Sequence, residues 1–117
     1  MKKFILLLHD DFKKEKAYSP DEMQQIVQEH MAWVQKLSEK GTFLGGDGLV
    51  PDGKLISGKE SIVKDGPYIE SKEIIGGYYL LQANSIEEIT EIAKECPCHL
   101  WGGVTEIRPI MDYESER

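Results

Sequence analysis

The segment 3–9, near the start of the chain, constrains the fold most because both of its faces are apolar. Successive side chains of a strand point to opposite faces, and such a strand lies inside a sheet that is covered on both sides. The chain must therefore provide or recruit cover for both faces. The alternating residues are Phe4, Leu6 and Leu8 on one face, and Ile5, Leu7 and His9 on the other.

A first helix is predicted by the start signal Ser19, Pro20 and Glu22, which combines an N-cap, a first-turn proline and a capping box. Gly41 is the expected C-terminal cap. The spacing predicts one apolar stripe that packs on the sheet. Its members are Met23, Ile26, Val27, Met31, Val34 and Leu37, with Trp33 at the border.

A second helix is predicted after Ser85, with Glu88 completing another capping box. Its expected buried stripe is Ile86, Ile89, Ile92 and Ala93. Further strands are expected at residues 42–50, 74–83 and 101–110, and a hairpin arm at 54–64. Glycines inside the strand at 42–50 indicate a bulge or the close approach of another group.

This order predicts an α+β fold, the ferredoxin-like β-α-β-β-α-β arrangement with an inserted hairpin, as one domain over residues 1–117. Both helices would cover one face of an antiparallel sheet. The other face would be left open although the first strand is apolar on that side too. A second copy of the chain is the simplest cover, which predicts a homodimeric α/β barrel.

Charge and cysteine content narrow the class of partner. The net charge is −7, from 14 Lys and Arg against 21 Asp and Glu, without a basic cluster. Nucleic acid and anionic membrane are therefore poor candidates. The apolar run after Met1 is too short for a signal peptide. Cys96 and Cys98 are too close for an unstrained disulfide, so we expect free thiols and a cytoplasmic setting.

His30 is the leading candidate for chemistry, because it stands inside the apolar stripe of the first helix. It could act as a general acid and base in a cleft. It could equally be a core histidine with one buried partner. The catalytic interpretation predicts a carboxylate close to the ring, with Asp65, Asp47 and Glu73 as candidates.

The turn at residues 65–73 concentrates charge where the chain enters an apolar strand. Asp65, Lys72 and Glu73 could form a polar rim for a ligand. Alternatively, Asp65 bonds its own turn backbone and the other two are solvated. Arg108 should share a face of the last strand with Val104 and Glu106. Its role would be an ion pair with a carboxylate or the binding of a substrate carboxylate.

No metal or cofactor is expected. Cys96, Cys98 and His99 lack the paired spacing of a zinc site. No phosphate-binding loop, nucleophile elbow or metalloprotease motif occurs.

Three groups of residues together resemble one family. They are residues 30–37 with Gly41 and Gly45-Gly46, residues 65–73 with 76–78, and Cys96-Pro97 with 106–110. They are similar to the signature of the YCII-related, or DGPF-domain, family. The resemblance implies a ferredoxin-like dimeric barrel and acid–base catalysis by a histidine paired with an aspartate. His30 matches that histidine, whereas no motif places the aspartate. Tyr68 stands where the family usually has Phe, and its hydroxyl could donate into a pocket.

Three functions remain open on the sequence. The first is a small cofactor-independent enzyme of isomerase, lyase or cyclase type, in which His30 moves a proton on a small organic substrate. The second is a non-catalytic module that binds a small molecule, or a regulatory module. The third is a structural partner protein. A cleft around His30 and the identity of its hydrogen-bond partner distinguish them.

Overall fold

The structure, a computed structural model, describes residues 1–10, 18–66 and 74–113. The predicted site residues Tyr68, Lys72 and Glu73 lie outside these ranges. Six strands, two α-helices and one 3₁₀ helix are present in the described part. The strands are β1 (Lys2–Asp10), β2 (Phe43–Gly48), β3 (Gly53–Ser57), β4 (Ile62–Gly66), β5 (Ile74–Ala83) and β6 (Val104–Pro109). The helices are α1 (Pro20–Glu39), α2 (Ile86–Ala93) and a 3₁₀ helix (Pro97–Trp101).

Four strands form an antiparallel sheet in the order β2-β5-β1-β6, and β3 and β4 form a separate two-stranded sheet. This order confirms the predicted α+β, ferredoxin-like arrangement with an inserted hairpin. The core lies on one face of the larger sheet, where both helices contribute to it. Its large members are Phe4, Leu6, Leu8 and Leu81 from the sheet, and Trp33, Leu37 and Ile89 from the helices.

Helix α1 begins as predicted, but its apolar stripe is divided between two surroundings. Ser19 accepts from the Glu22 amide and the Glu22 side chain accepts from the Ser19 amide, each at 3.1 Å. Gly41 follows the helix with a φ of 75°, which favours glycine. Trp33 and Leu37 are buried in the core. The prediction of a single buried stripe is wrong for Met23, Val27 and Met31, which are exposed, because they face an open cleft.

The chain after α2 differs from the predicted strand at 101–110. Pro97 starts the 3₁₀ helix, Gly102 ends it with a φ of 81°, and β6 begins only at Val104. The fixed φ of proline favours such a helical first turn. In α2 itself, Ser85 caps the Glu88 amide at 3.1 Å, and Ile86 is exposed although it was expected to be buried.

The sheet face opposite the helices is only half covered in the single chain. Ile5 and Leu7 of β1 and Leu80 of β5 are each half-buried. The β3–β4 hairpin makes few contacts with the other elements. Within the described ranges, no helix combines the length and the apolar character needed to cross a membrane.

Candidate functional site

A cleft of about 830 Å³ lies between α1 and the β2–β5 side of the sheet. One wall is the face of α1 that carries Met23, Val27, His30 and Met31. The 3₁₀ helix closes one end, where Trp101 lies. The walls are mainly aliphatic and aromatic, as in most small-molecule sites.

The floor of the cleft is largely bare backbone, because glycines occupy both neighbouring strands. Gly46 and Gly48 of β2 and Gly76 and Gly77 of β5 all line it. A Cβ atom on Gly46 would lie 2.5 Å from the Tyr78 carbonyl oxygen and 2.6 Å from Tyr79 Cδ1. The expectation of a close approach in this strand is therefore met at Gly46, and a register shift occurs between Phe43 and Gly45.

His30 meets a tyrosine in the cleft. Its Nδ1 atom lies 2.7 Å from the hydroxyl oxygen of Tyr79, and the pair is half-buried. The two rings are 6.0 Å apart and inclined by 26°. Trp33 and Phe43 contact the same tyrosine edge-on, with ring centroids at 5.4 and 6.2 Å. These contacts fix the phenol, which in turn orients the imidazole.

The surroundings of Tyr79 keep its hydroxyl protonated. Burial raises the pKa of this phenol above its usual value, and the nearby thiols of Cys96 and Cys98, when ionised, raise it further. The phenol can therefore donate to Nδ1 or accept from an Nδ1–H group, but it remains neutral near pH 7. Both cysteines are buried, and Cys98 also lines the cleft.

Asp47, a predicted site residue, does lie at the cleft. Its Oδ2 atom accepts a 3.2 Å hydrogen bond from the Tyr78 hydroxyl. This bond, followed by the negative charge of Asp47, raises the pKa of Tyr78. Asp47 thus supplies an exposed acidic group at the margin of the cleft.

Two other predicted residues lie elsewhere. Asp65 is in β4 of the hairpin, where Lys54 Nζ donates to its Oδ1 at 2.6 Å, and the described lining of the cleft does not include it. Arg108 is exposed on β6, on the same face as Val104 and Glu106, as the alternation predicted.

The predicted carboxylate partner of His30 stays a prediction, because the candidate Glu73 lies outside the described residues. A carboxylate–imidazole pair does occur at His9. There the Nε2 atom lies 2.9 Å from Glu106 Oε1. His9 is near the end of β1 and pairs with Val104 of β6. Among the described residues, no three His, Cys, Asp or Glu side chains gather closely enough to hold a metal ion.

Two features of the site were not predicted from the sequence: Tyr79, and the contact that holds Trp101 at the end of the cleft. Tyr79 alternates with Gly77, Leu81 and Ala83 on the core side of β5, and a phenol on such a face needs a polar partner. That alternation could have identified Tyr79 as a candidate site residue. At the end wall, Trp101 Nε1 donates to Glu29 Oε1 at 2.8 Å. This contact spans 72 residues, and no local pattern indicates it.

A family model described as the YCII-related domain matches residues 3–114. The chain belongs to the YCII-related family. An uncharacterized protein of Rhizobium meliloti (strain 1021) is 28% identical over 116 residues, which cover 95% of this chain and 94% of that protein. Among solved structures, the chain is similar to 5-chloro-2-hydroxyhydroquinone dehydrochlorinase (TftG) of Burkholderia phenoliruptrix AC1100 in complex with 2,5-dihydroxybenzoquinone. The identity is 17%, the coverage 93% of each chain and the TM-score 0.48.

Proposed function

We propose that this YCII-related protein is a cofactor-independent acid–base enzyme that acts on a small, partly apolar organic molecule. The observation that supports the proposal is the 2.7 Å contact between His30 Nδ1 and the Tyr79 hydroxyl in a cleft of about 830 Å³. An oriented imidazole with a pKa near neutrality is the usual group for proton transfer at pH 7.

In this mechanism His30 takes a proton from one atom of the substrate and returns it to another. Nδ1 is engaged with Tyr79, so the exchange with the substrate would use Nε2. Tyr79 stays a neutral phenol and fixes the orientation of the ring. Isomerase, lyase and cyclase reactions all need such a transfer. Asp47 and Tyr78 at the cleft margin would contact the polar end of the substrate.

A non-catalytic binding module is the second candidate. The observation that favours it is that a neutral phenol contacts Nδ1. A phenol stabilises an imidazolium ion less than a carboxylate does, so proton transfer gains less from it. The mainly apolar walls of the cleft suit a ligand that is bound and released unchanged.

Solvent deuterium incorporation separates the two candidates. A panel of small carbonyl compounds and phenols is incubated with the protein in D₂O and followed by proton NMR. We expect exchange at one carbon position with the wild type, at least about 100-fold less with His30→Gln, and partial loss with Tyr79→Phe. His99→Gln, an exposed histidine on the 3₁₀ helix, is the matched control and should retain exchange.

Compounds that bind in the cleft but exchange no faster than in buffer would favour the binding module. Exchange that His30→Gln leaves unchanged would exclude His30 as the proton-transfer group.

We also propose that two copies pack through the half-buried sheet face to form the predicted homodimeric barrel. Ile5, Leu7 and Leu80 would supply its apolar centre. The cytoplasmic setting, the single-domain organisation and the roles of Asp65 and Arg108 stay predictions.

A further inference from the structure

The β3–β4 hairpin is an apolar element that its own chain leaves in water. Every strand residue of this arm, residues 53–66, is exposed except Gly66. Its four aliphatic side chains are between 48% and 65% exposed. A two-stranded hairpin is marginally stable by itself in water. The four aliphatic residues are Leu55, Ile56, Ile62 and Val63.

Both faces of the arm carry part of this apolar surface. Ile56 pairs with Val63 across the ladder, and residues that pair directly share a face. Leu55 and Ile62 occupy the opposite face. A partner that covered only one face would leave the other pair in water, so the arm fits a slot with two apolar walls.

The chain also carries an open slot of this kind. One wall is a ridge on α1 formed by Met23, Val27 and Met31, which are 39%, 51% and 66% exposed. Residues four apart lie on one side of a helix, and these three span about 12 Å. The other wall is formed by Leu49 and Val50, both exposed. A five-residue strand is about 16 Å long, so the ridge can contact most of the length of one strand.

We propose that the arm of one copy inserts between the α1 ridge and the Leu49–Val50 wall of a second copy. The arm cannot enter its own slot in this way, because residues 50–52 are its only connection to β2. Leu49 is held to β5 by a 2.9 Å hydrogen bond from its amide to the Gly76 carbonyl. Leu49 and Val50 therefore form both the start of the arm and the second wall of the slot in the same chain.

This contact rests on the proposed function and extends it, because the slot is the mouth of the His30 cleft. The arm of the second copy closes a cleft that the described residues of one chain leave open. Each active site would then contain side chains from both copies. The exchange is reciprocal, since two identical arms meet two identical slots, as in a closed twofold dimer.

A cross-linking experiment with mixed single variants tests the contact in the full chain. Ile56→Cys protein is mixed with Met31→Cys protein, equilibrated and oxidised mildly, and the products are separated without reductant. We expect a covalent dimer of twice the chain mass of 13.3 kDa, absent when Met111→Cys replaces Met31→Cys. Met111 is 67% exposed and lies outside the slot. The native Cys96 and Cys98 are buried.

The variant Met31→Cys/Ile56→Cys carries both cysteines in one chain and tests whether the arm reaches its own slot. A disulfide within one chain of this double variant, equal yields with the Met111→Cys control, or no cross-link would each overturn the proposal. A second measurement uses sedimentation of the wild type and of Ile56→Glu/Val63→Glu. We expect the dimer dissociation constant to rise at least about 100-fold, since two aliphatic contacts are lost. The control Leu100→Glu/Met111→Glu carries the same charge change on other exposed residues and should have little effect.

An unchanged dissociation constant in the arm variant would also overturn the contact while leaving the barrel intact. A wild-type monomer would remove the arm contact and the barrel together. Neither result decides the role of His30, which the deuterium exchange measurement tests independently.

Discussion

One histidine lies on each side of the sheet, and the structure shows a different kind of hydrogen-bond partner for each. On the helix-covered face, His30 contacts the neutral hydroxyl of Tyr79. On the open face, His9 contacts the carboxylate of Glu106. An unpaired charge is costly to bury, whereas a neutral hydrogen-bonded group costs much less. The neutral Tyr79 hydroxyl therefore suits the half-buried side, and the exposed face can use a carboxylate that water also solvates.

A second difference is how tightly each partner is held. Tyr79 is surrounded by Trp33, Phe43 and the bare backbone of Gly46. The side chains of His9 and Glu106 are 22% and 46% exposed. The His30 pair is thus built into the packing of the domain, and the His9 pair lies on its surface. Substitutions around the His30 pair should therefore lower the free energy of unfolding more than substitutions around the His9 pair.

Gly46→Ala should have the largest effect. The new Cβ atom would lie 2.5 Å from the Tyr78 carbonyl oxygen and 2.6 Å from Tyr79 Cδ1. Backbone and a packed ring cannot easily withdraw, so we expect a loss of about 1–3 kcal/mol in the free energy of unfolding. Urea denaturation measures it.

Gly45→Ala is the matched control, because its Cβ would meet nothing within 4 Å. A Gly46→Ala protein as stable as Gly45→Ala would mean that Tyr79 is not held tightly, and the contrast between the two faces would fail.

Tyr79→Phe should have the next largest effect, because it removes the hydroxyl from a half-buried hydrogen bond. We expect a loss of about 1 kcal/mol in the free energy of unfolding at pH 7. Tyr78→Phe, which removes a hydroxyl from an exposed bond to Asp47, should change this free energy little. Equal losses in the two variants would contradict the comparison.

The same variant gives a pH test. Burial raises the pKa of Tyr79 above its ordinary value of 10.0, so the unfolded chain releases this proton at a lower pH than the folded chain does. The raised pKa of Tyr79 contributes to the free energy of unfolding. This contribution is complete below pH 10 and declines as the pH rises above 10 toward the folded-state pKa. The wild-type advantage over Tyr79→Phe should therefore shrink as the pH rises above about 10.

Much of the fold could be predicted because its signals are local. The capping residues Ser19 and Ser85, and the two-faced apolar pattern at residues 3–9, each act over a few positions. The division of the α1 stripe could not be predicted in the same way. Met31 and Leu37 have the same apolar character, and the way α1 packs on the sheet decides which of them is buried.

Of the hydrogen-bonded pair in the site, only His30 could be predicted from the sequence. His30 is conspicuous because it is ionisable within an apolar helical stripe. Its partner depends on the register of β5 against α1, which is a tertiary contact over 49 residues. The sequence pointed to a carboxylate partner and gave no sign of the Tyr79 hydroxyl, and Glu106 lies against His9 on the other face. The hydrogen-bond partners of His30 and His9 depend on how the strands and α1 align with one another, and the spacing of residues in the sequence does not encode that alignment.

Glu106→Gln should have the smallest effect and probes the open face. Exposed ion pairs typically contribute between 0 and 1 kcal/mol, and glutamine retains a hydrogen-bond acceptor for His9. We expect the free energy of unfolding of a monomeric form, such as the arm variant, to change by less than about 0.5 kcal/mol at pH 7. In the dimer the same pair would lie within the interface, and removal of one partner of a buried pair is more costly. Sedimentation should then show a weaker dimer for Glu106→Gln, while urea denaturation of the monomer stays nearly unchanged. A large loss in the monomer would place the His9 pair among the packed contacts of the domain, and the contrast between the two histidines would no longer hold.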